Sequence, residues 1–98
     1  MMMMNKKYNF DMDELTQLMV ITMEECGELI QECSKLLRIK SRTGTVSKES
    51  LISLTKEAAD VRAMISLMED HGLVMNKEVK KGMNNKIEKL KTWSSLVV

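Results

Sequence analysis

Two short runs of acids stand out by their spacing: Glu24, Glu25, Glu28 and Glu32 within EECGELIQE, and Glu57 with Asp60 within EAAD. Carboxylates three residues apart share a helix face one turn apart, so each run can aim two oxygen donors in one direction. Like charges at that spacing destabilise a helix by roughly a few tenths of a kcal/mol per pair unless a cation sits between them. Two such pairs facing each other suit a hard divalent cation, because magnesium takes oxygen ligands in octahedral geometry and keeps several waters. Glu25, Glu28, Glu57 and Asp60 are therefore candidate metal ligands. The bland alternative is a set of solvated charges on amphipathic helices, paired with Lys35, Lys56 or Arg62.

The elements that must position these acids read as helices. Residues 11–38 place Leu15, Met19, Met23, Cys26, Ile30, Cys33 and Leu37 at three- and four-residue steps, the stripe of a long amphipathic helix. With Cys26 taken as the core direction, Glu25, Glu32 and Glu28 fall at about 260°, 240° and 200°, on one flank, and Glu24 near 160°, away from them. Leu18 and Ile21, at about 280° and 220° among the acids, make a second burial surface there reasonable. Twenty-eight helical residues extend about 42 Å, longer than so small a domain is wide. The helix must kink or split near Gly27, or reach into a partner subunit; three helices are too few to cover its stripe, which favours the partner.

Residues 39–47 (IKSRTGTVS) have loop composition and are the expected mobile segment. Ser47 is an expected N-cap with Glu49 in the first turn, and Leu51, Leu54, Ala58, Val61, Ile65 and Met68 continue a second stripe. Glu57 and Asp60 flank that stripe, and small Ala58 and Ala59 let another helix come close. His71 and Gly72 form a stop signal. Asn76 is the expected N-cap of a third helix, carrying Val79, Met83, Ile87 and Leu90 up to Trp93. The expected fold is an all-α bundle of three main helices, completed by homo-oligomerisation into a four-helix-type core.

Bulk properties agree. Ninety-eight residues make one domain, expected over 11–94 between a flexible N-terminal 1–10 and a tail at 95–98, with a core small enough to need a partner. Absent proline, 3% aromatics and 11 methionines favour helix over strand. A net charge of +1 with interleaved signs argues against nucleic acid as partner. No apolar run approaches the roughly 20 residues of a membrane span, and no signal-peptide core follows Met1, so a cytoplasmic location is expected. Cys26 and Cys33 sit two turns apart, roughly 10 Å, too far for an intrahelical disulfide. With His71 distant, they read as reduced core residues and not zinc ligands.

The stretch EECGEL followed by EAADV resembles the signature of MazG-type all-α nucleoside triphosphate pyrophosphohydrolases, in which an ExxE pair is followed after a loop by ExxD. The likeness continues through ECSKLLR, VRAMISLMEDHGL and KIEKLKTW, over residues 15–93, and is strongest to the short single-domain versions of phages and bacteria. The resemblance implies Mg2+, with Mn2+ an acceptable substitute, and cleavage of a nucleoside triphosphate between its α and β phosphates. For a phage-encoded chain the location would be the host cytoplasm. It implies Glu25, Glu28, Glu57 and Asp60 as ligands, with Glu25, Glu28 or Glu32 available to take the proton of the attacking water.

Triphosphate oxygens not held by metal need cations. Lys35 continues the carboxylate flank at about 180° and is the first choice; Arg38 lies farther round, and Lys86 and Lys89 come from the third helix, where the family also has basic residues. Lys40 and Arg42 are expected in a loop over the triphosphate. For base stacking the chain offers only Tyr8, Phe10 and Trp93, the last equally suited to anchor a core or interface. Met19, Met23, Met64 and Met68 are expected to fill the core. Two rivals remain open: phosphoribosyl-ATP pyrophosphohydrolase, which shares glutamate-rich helical motifs, and a non-enzymatic helical interaction module. The assembly expected is a dimer or tetramer.

Overall fold

The structure, a computed structural model, describes residues 12–98. The expected N-terminal segment, with Tyr8 and Phe10, lies outside the described residues. Three helices follow in order, α1 (Met12–Thr43), α2 (Lys48–Asp70) and α3 (Asn76–Trp93), and there is no strand among the described residues. The chain divides into two compact units, one ending at Leu67 and one spanning Met68–Val98. No helix among the described residues is long and apolar enough to cross a membrane.

α1 runs unbroken past Gly27, so the expected kink or split is absent. It also continues five residues beyond the expected end, with Lys40 and Arg42 in its last turn, where cations offset the negative pole of the helix. It stops at Gly44, whose φ of 77° is open to glycine at little steric cost. The Gly44 N–H donates to the Lys40 carbonyl at 2.7 Å, closing the helix. The expected loop over 39–47 thus shrinks to four residues, and Lys40 and Arg42 are helical.

Ser47 caps α2 as its type suggests. Its Oγ accepts from the Ser50 N–H at 3.1 Å, satisfying one donor that the first turn leaves unpaired. At the other end Leu73 N–H donates to Met68 O at 2.9 Å and Gly72 N–H to Glu69 O at 3.0 Å. That pair of bonds, with Gly72 at φ 74°, is the left-handed glycine stop the sequence signals. Asn76 departs from expectation. Met75, extended at φ −101°, occupies the cap position with no side-chain bond, and the Asn76 amide instead reaches back to Glu69 Oε1 at 3.2 Å.

The face by which α1 packs is not the expected one. Leu15, Leu18, Thr22, Glu25, Leu29, Glu32, Leu36 and Ile39 are buried or half-buried. Met23, Cys26, Ile30, Cys33 and Leu37 are exposed. Both rows alternate steps of three and four, the spacing that packs helix on helix, and they lie about 100° apart because each is the other shifted by one residue. On α2, Leu54, Glu57 and Val61 are half-buried and Met64 is buried, and Glu57 comes close to Glu25 of the inner row. Leu51 and Ala58, expected in the α2 stripe, are exposed. Leu18, at 6% exposure, and Met64, at 8%, are the buried hydrophobics among the described residues, a core of only two side chains. The other methionines named for the core fill it less: Met19 and Met68 are half-buried and Met23 is exposed.

On α3, Val79 and Leu90 are half-buried, whereas Met83 and Ile87 are exposed and Trp93 is 80% exposed, so Trp93 anchors no core in this chain.

Candidate metal centre

Because the inner row of α1 passes through Glu25 and Glu32, its carboxylates enter a helix–helix seam instead of flanking it. Glu25 and Glu28 come from successive turns of α1, and Glu57 from α2. One carboxylate oxygen from each lies within 4.8 Å of those of the other two. Glu25 and Glu57 are half-buried and Glu28 is exposed, so the triad is open to solvent on the Glu28 side.

Its electrostatics are unfavourable without a cation. Oε1 of Glu25 and Oε2 of Glu57 are sealed from solvent and accept no hydrogen bond, a state that penalises a charged oxygen. Burial, then the charges of Glu28 and Glu25, push the Glu57 carboxyl from an ordinary 4.5 up to about 7. Burial, then Glu28 and Asp60, raise Glu25 as well. Both shifts follow from loss of water and crowding of like charge.

Asp60, half-buried one turn beyond Glu57, exerts its charge on both Glu25 and Glu57. It stands next to the close triad and is not part of it. Glu32 shares the face, as its wheel position indicates, and its Oε2 lies 3.2 Å from Lys35 Nζ. Lys35 is thus held one turn past the acids. Glu24 is exposed.

Of the pairings that the alternative of surface charges names, Lys35 with Glu32 is formed, at 3.2 Å. Among the described residues the ion pairs are Lys35 with Glu32 and Lys91 with Glu88, so neither Lys56 nor Arg62 neutralises Glu25, Glu28, Glu57 or Asp60.

The remaining cations named from the sequence for phosphate contact are Arg38, Lys86 and Lys89. Arg38 is about 140° round α1 from Glu25 by the helical step, and its Nη1 donates to Ser34 Oγ at 3.2 Å. Lys86 and Lys89 are exposed on α3, in the second unit.

Fold and site together define an all-α chain with an acidic triad set across a helix seam. Compared with protein-family models, with curated proteins and with solved structures, the chain shows no match.

Proposed function

We propose that this chain is a Mg2+-dependent nucleoside triphosphate pyrophosphohydrolase of the MazG type. It would hydrolyse its substrate between the α and β phosphates to a nucleoside monophosphate and pyrophosphate. The observation that carries this reading is the triad: carboxylate oxygens of Glu25, Glu28 and Glu57 within 4.8 Å of one another, two of those residues each with a sealed oxygen that has no partner. An all-oxygen, strongly anionic donor set of this kind fits a hard divalent cation and not a soft one.

Glu25, Glu28 and Glu57, with Asp60 beside them, would hold Mg2+, with Mn2+ as a substitute. Bound there, the cation supplies charge neutralisation for the phosphate oxygens and a lowered pKa for a coordinated water. The chain's own residues do the rest. Glu32, fixed by Lys35, is placed on the same face to accept a proton from water, as are Glu25 and Glu28. Lys35, paired with Glu32 on the carboxylate face, is the first candidate for phosphate contact. Lys86 and Lys89 are further candidates for the nucleotide, and Arg38 is the weakest of the four, since it turns away from the acids.

The same reading includes self-association into a dimer or tetramer that completes a four-helix core. That only two hydrophobic side chains are buried among the described residues supports it, because chains of this size gain stability by sharing apolar surface. A cytoplasmic setting accompanies it.

Purified protein with Mg2+, assayed for pyrophosphate release against a nucleotide panel and phosphoribosyl-ATP, tests the reaction. Turnover of one or more nucleoside triphosphates is expected. Phosphoribosyl-ATP as sole substrate would move the chain to that enzyme class, and no turnover of any substrate would favour a binding module.

A further inference from the structure

α3 is an amphipathic helix whose apolar side is partly bare. With Met83 as zero on its wheel, Val79, Leu90 and Ile87 fall at about −40°, −20° and +40°. Val79 and Leu90 are half-buried, but Met83 and Ile87 are 54% and 44% exposed. Trp93, at about −80° where the helix ends, is 80% exposed. The polar exception on this side is Asn76, at about +20° in the first helical position.

The charges at the edges of this side say what covers it. Lys80 and Lys91 follow at about +60° and +80°, and Lys86, also a candidate for the nucleotide, at about −60°. Glu78 and Glu88 fall at about −140° and +140°, on the back of the helix. Lys91 donates to Glu88 at 2.9 Å, whereas Lys80 and Lys86 enter no ion pair among the described residues. Residues 76–98 carry six lysines against two acids, a charge of +4, while residues 1–75 carry −3.

Each kind of occupant meets these features differently. A nucleic acid or a free phosphate would take the lysines and leave Met83, Ile87 and Trp93 in water. A second copy of the same face would set lysines against lysines. A bilayer with anionic headgroups takes both features. Apolar side chains enter the boundary between headgroups and acyl chains, lysine stems lie along it with their ammonium groups at the phosphates, and tryptophan sits at the interface.

We propose that α3 docks on an anionic lipid surface, lying in its plane with Met83, Ile87 and Trp93 inward and Lys80, Lys86 and Lys91 at the headgroups. The helix lies on the bilayer and does not cross it, in keeping with the absence of any membrane-spanning helix among the described residues. The acidic remainder of the chain is repelled by the same surface, which leaves the basic helix as the part that makes contact.

Co-sedimentation of the full chain with vesicles tests it, comparing phosphatidylcholine alone with an equal mixture of phosphatidylcholine and phosphatidylserine. Trp93, the sole tryptophan, reports insertion by its fluorescence. Binding to the anionic vesicles is expected to be at least about tenfold tighter than to phosphatidylcholine alone, with a blue shift of Trp93 emission. Lys80→Glu should weaken that binding about 30-fold, some fivefold per unit of charge. Ile87→Glu should weaken it at least about tenfold. Both positions are exposed, and circular dichroism checks that the helical signal is kept; should Ile87→Glu lose it, Lys80→Glu decides. Equal binding to the two kinds of vesicle, binding without the shift, or no binding at all overturns the proposal. Binding unaltered by both substitutions places the contact off α3 and overturns it as well. Polyglutamate bound through Lys80 while vesicles are ignored would overturn the lipid surface in favour of an acidic protein.

Discussion

Magnesium binding at the triad should compete with a proton, and the Glu57 carboxyl sets where. It titrates near 7 in the metal-free chain, pushed there by burial, Glu28 and Glu25, and a carboxylate must be deprotonated to bind metal. Each pH unit below about 7 therefore weakens apparent Mg2+ affinity about tenfold, while above it the affinity levels off. At about pH 6 some nine-tenths of Glu57 is protonated, so binding should release close to one proton; at about pH 8.5 it should release none. Calorimetric titration in two buffers of different ionisation enthalpy counts those protons directly.

The same shift acts on stability. With a folded value of about 7 above an ordinary 4.5, Glu57 contributes stability that is fully present below about pH 4.5 and is lost as pH rises through 7. Metal-free protein should lose melting temperature across that window, and saturating Mg2+ should remove the loss. Mg2+ affinity unchanged between about pH 6 and 8, with no proton released at pH 6, would refute the reasoning.

Three further outcomes follow from the fold. Ser47→Ala removes the oxygen that receives the Ser50 N–H and should destabilise the chain by about 1 kcal/mol in chemical denaturation. Gly72→Ala forces a side chain onto a backbone with φ of 74° and should cost about 1 kcal/mol, read as a lowered melting temperature. Leu18→Ala empties a buried core position and should lower unfolding free energy by about 3 kcal/mol.

What the sequence made legible was local. Ser47 and Gly72 could be placed because capping and left-handed turns depend on a few adjacent residues. Polar composition marks residues 39–47 as loop, yet α1 continues to Thr43 and stops where the Gly44 N–H bonds the Lys40 carbonyl. Which seam of α1 would be covered was not legible, since Leu18–Leu36 and Met19–Leu37 share the same spacing and only the surface offered by α2 distinguishes them. That choice matters for the site: it moved Glu25 from the flank of a core into a seam, next to Glu57. The ExxE and ExxD spacings put Glu25 with Glu28 and Glu57 with Asp60 on one face of each helix, but do not give the approach of one pair to the other. The position of Asp60 just outside the triad needed three dimensions.

The most direct measurement is pyrophosphate release with Mg2+ by wild type, Glu28→Gln and Asp60→Asn, alongside far-ultraviolet circular dichroism. Each substitution keeps side-chain volume and removes one negative charge from the cation's surroundings. Wild type should turn over a nucleoside triphosphate, and both variants should lose at least roughly 100-fold in rate with helical signal intact. Turnover unchanged in both variants would contradict the assignment of these carboxylates as the metal centre.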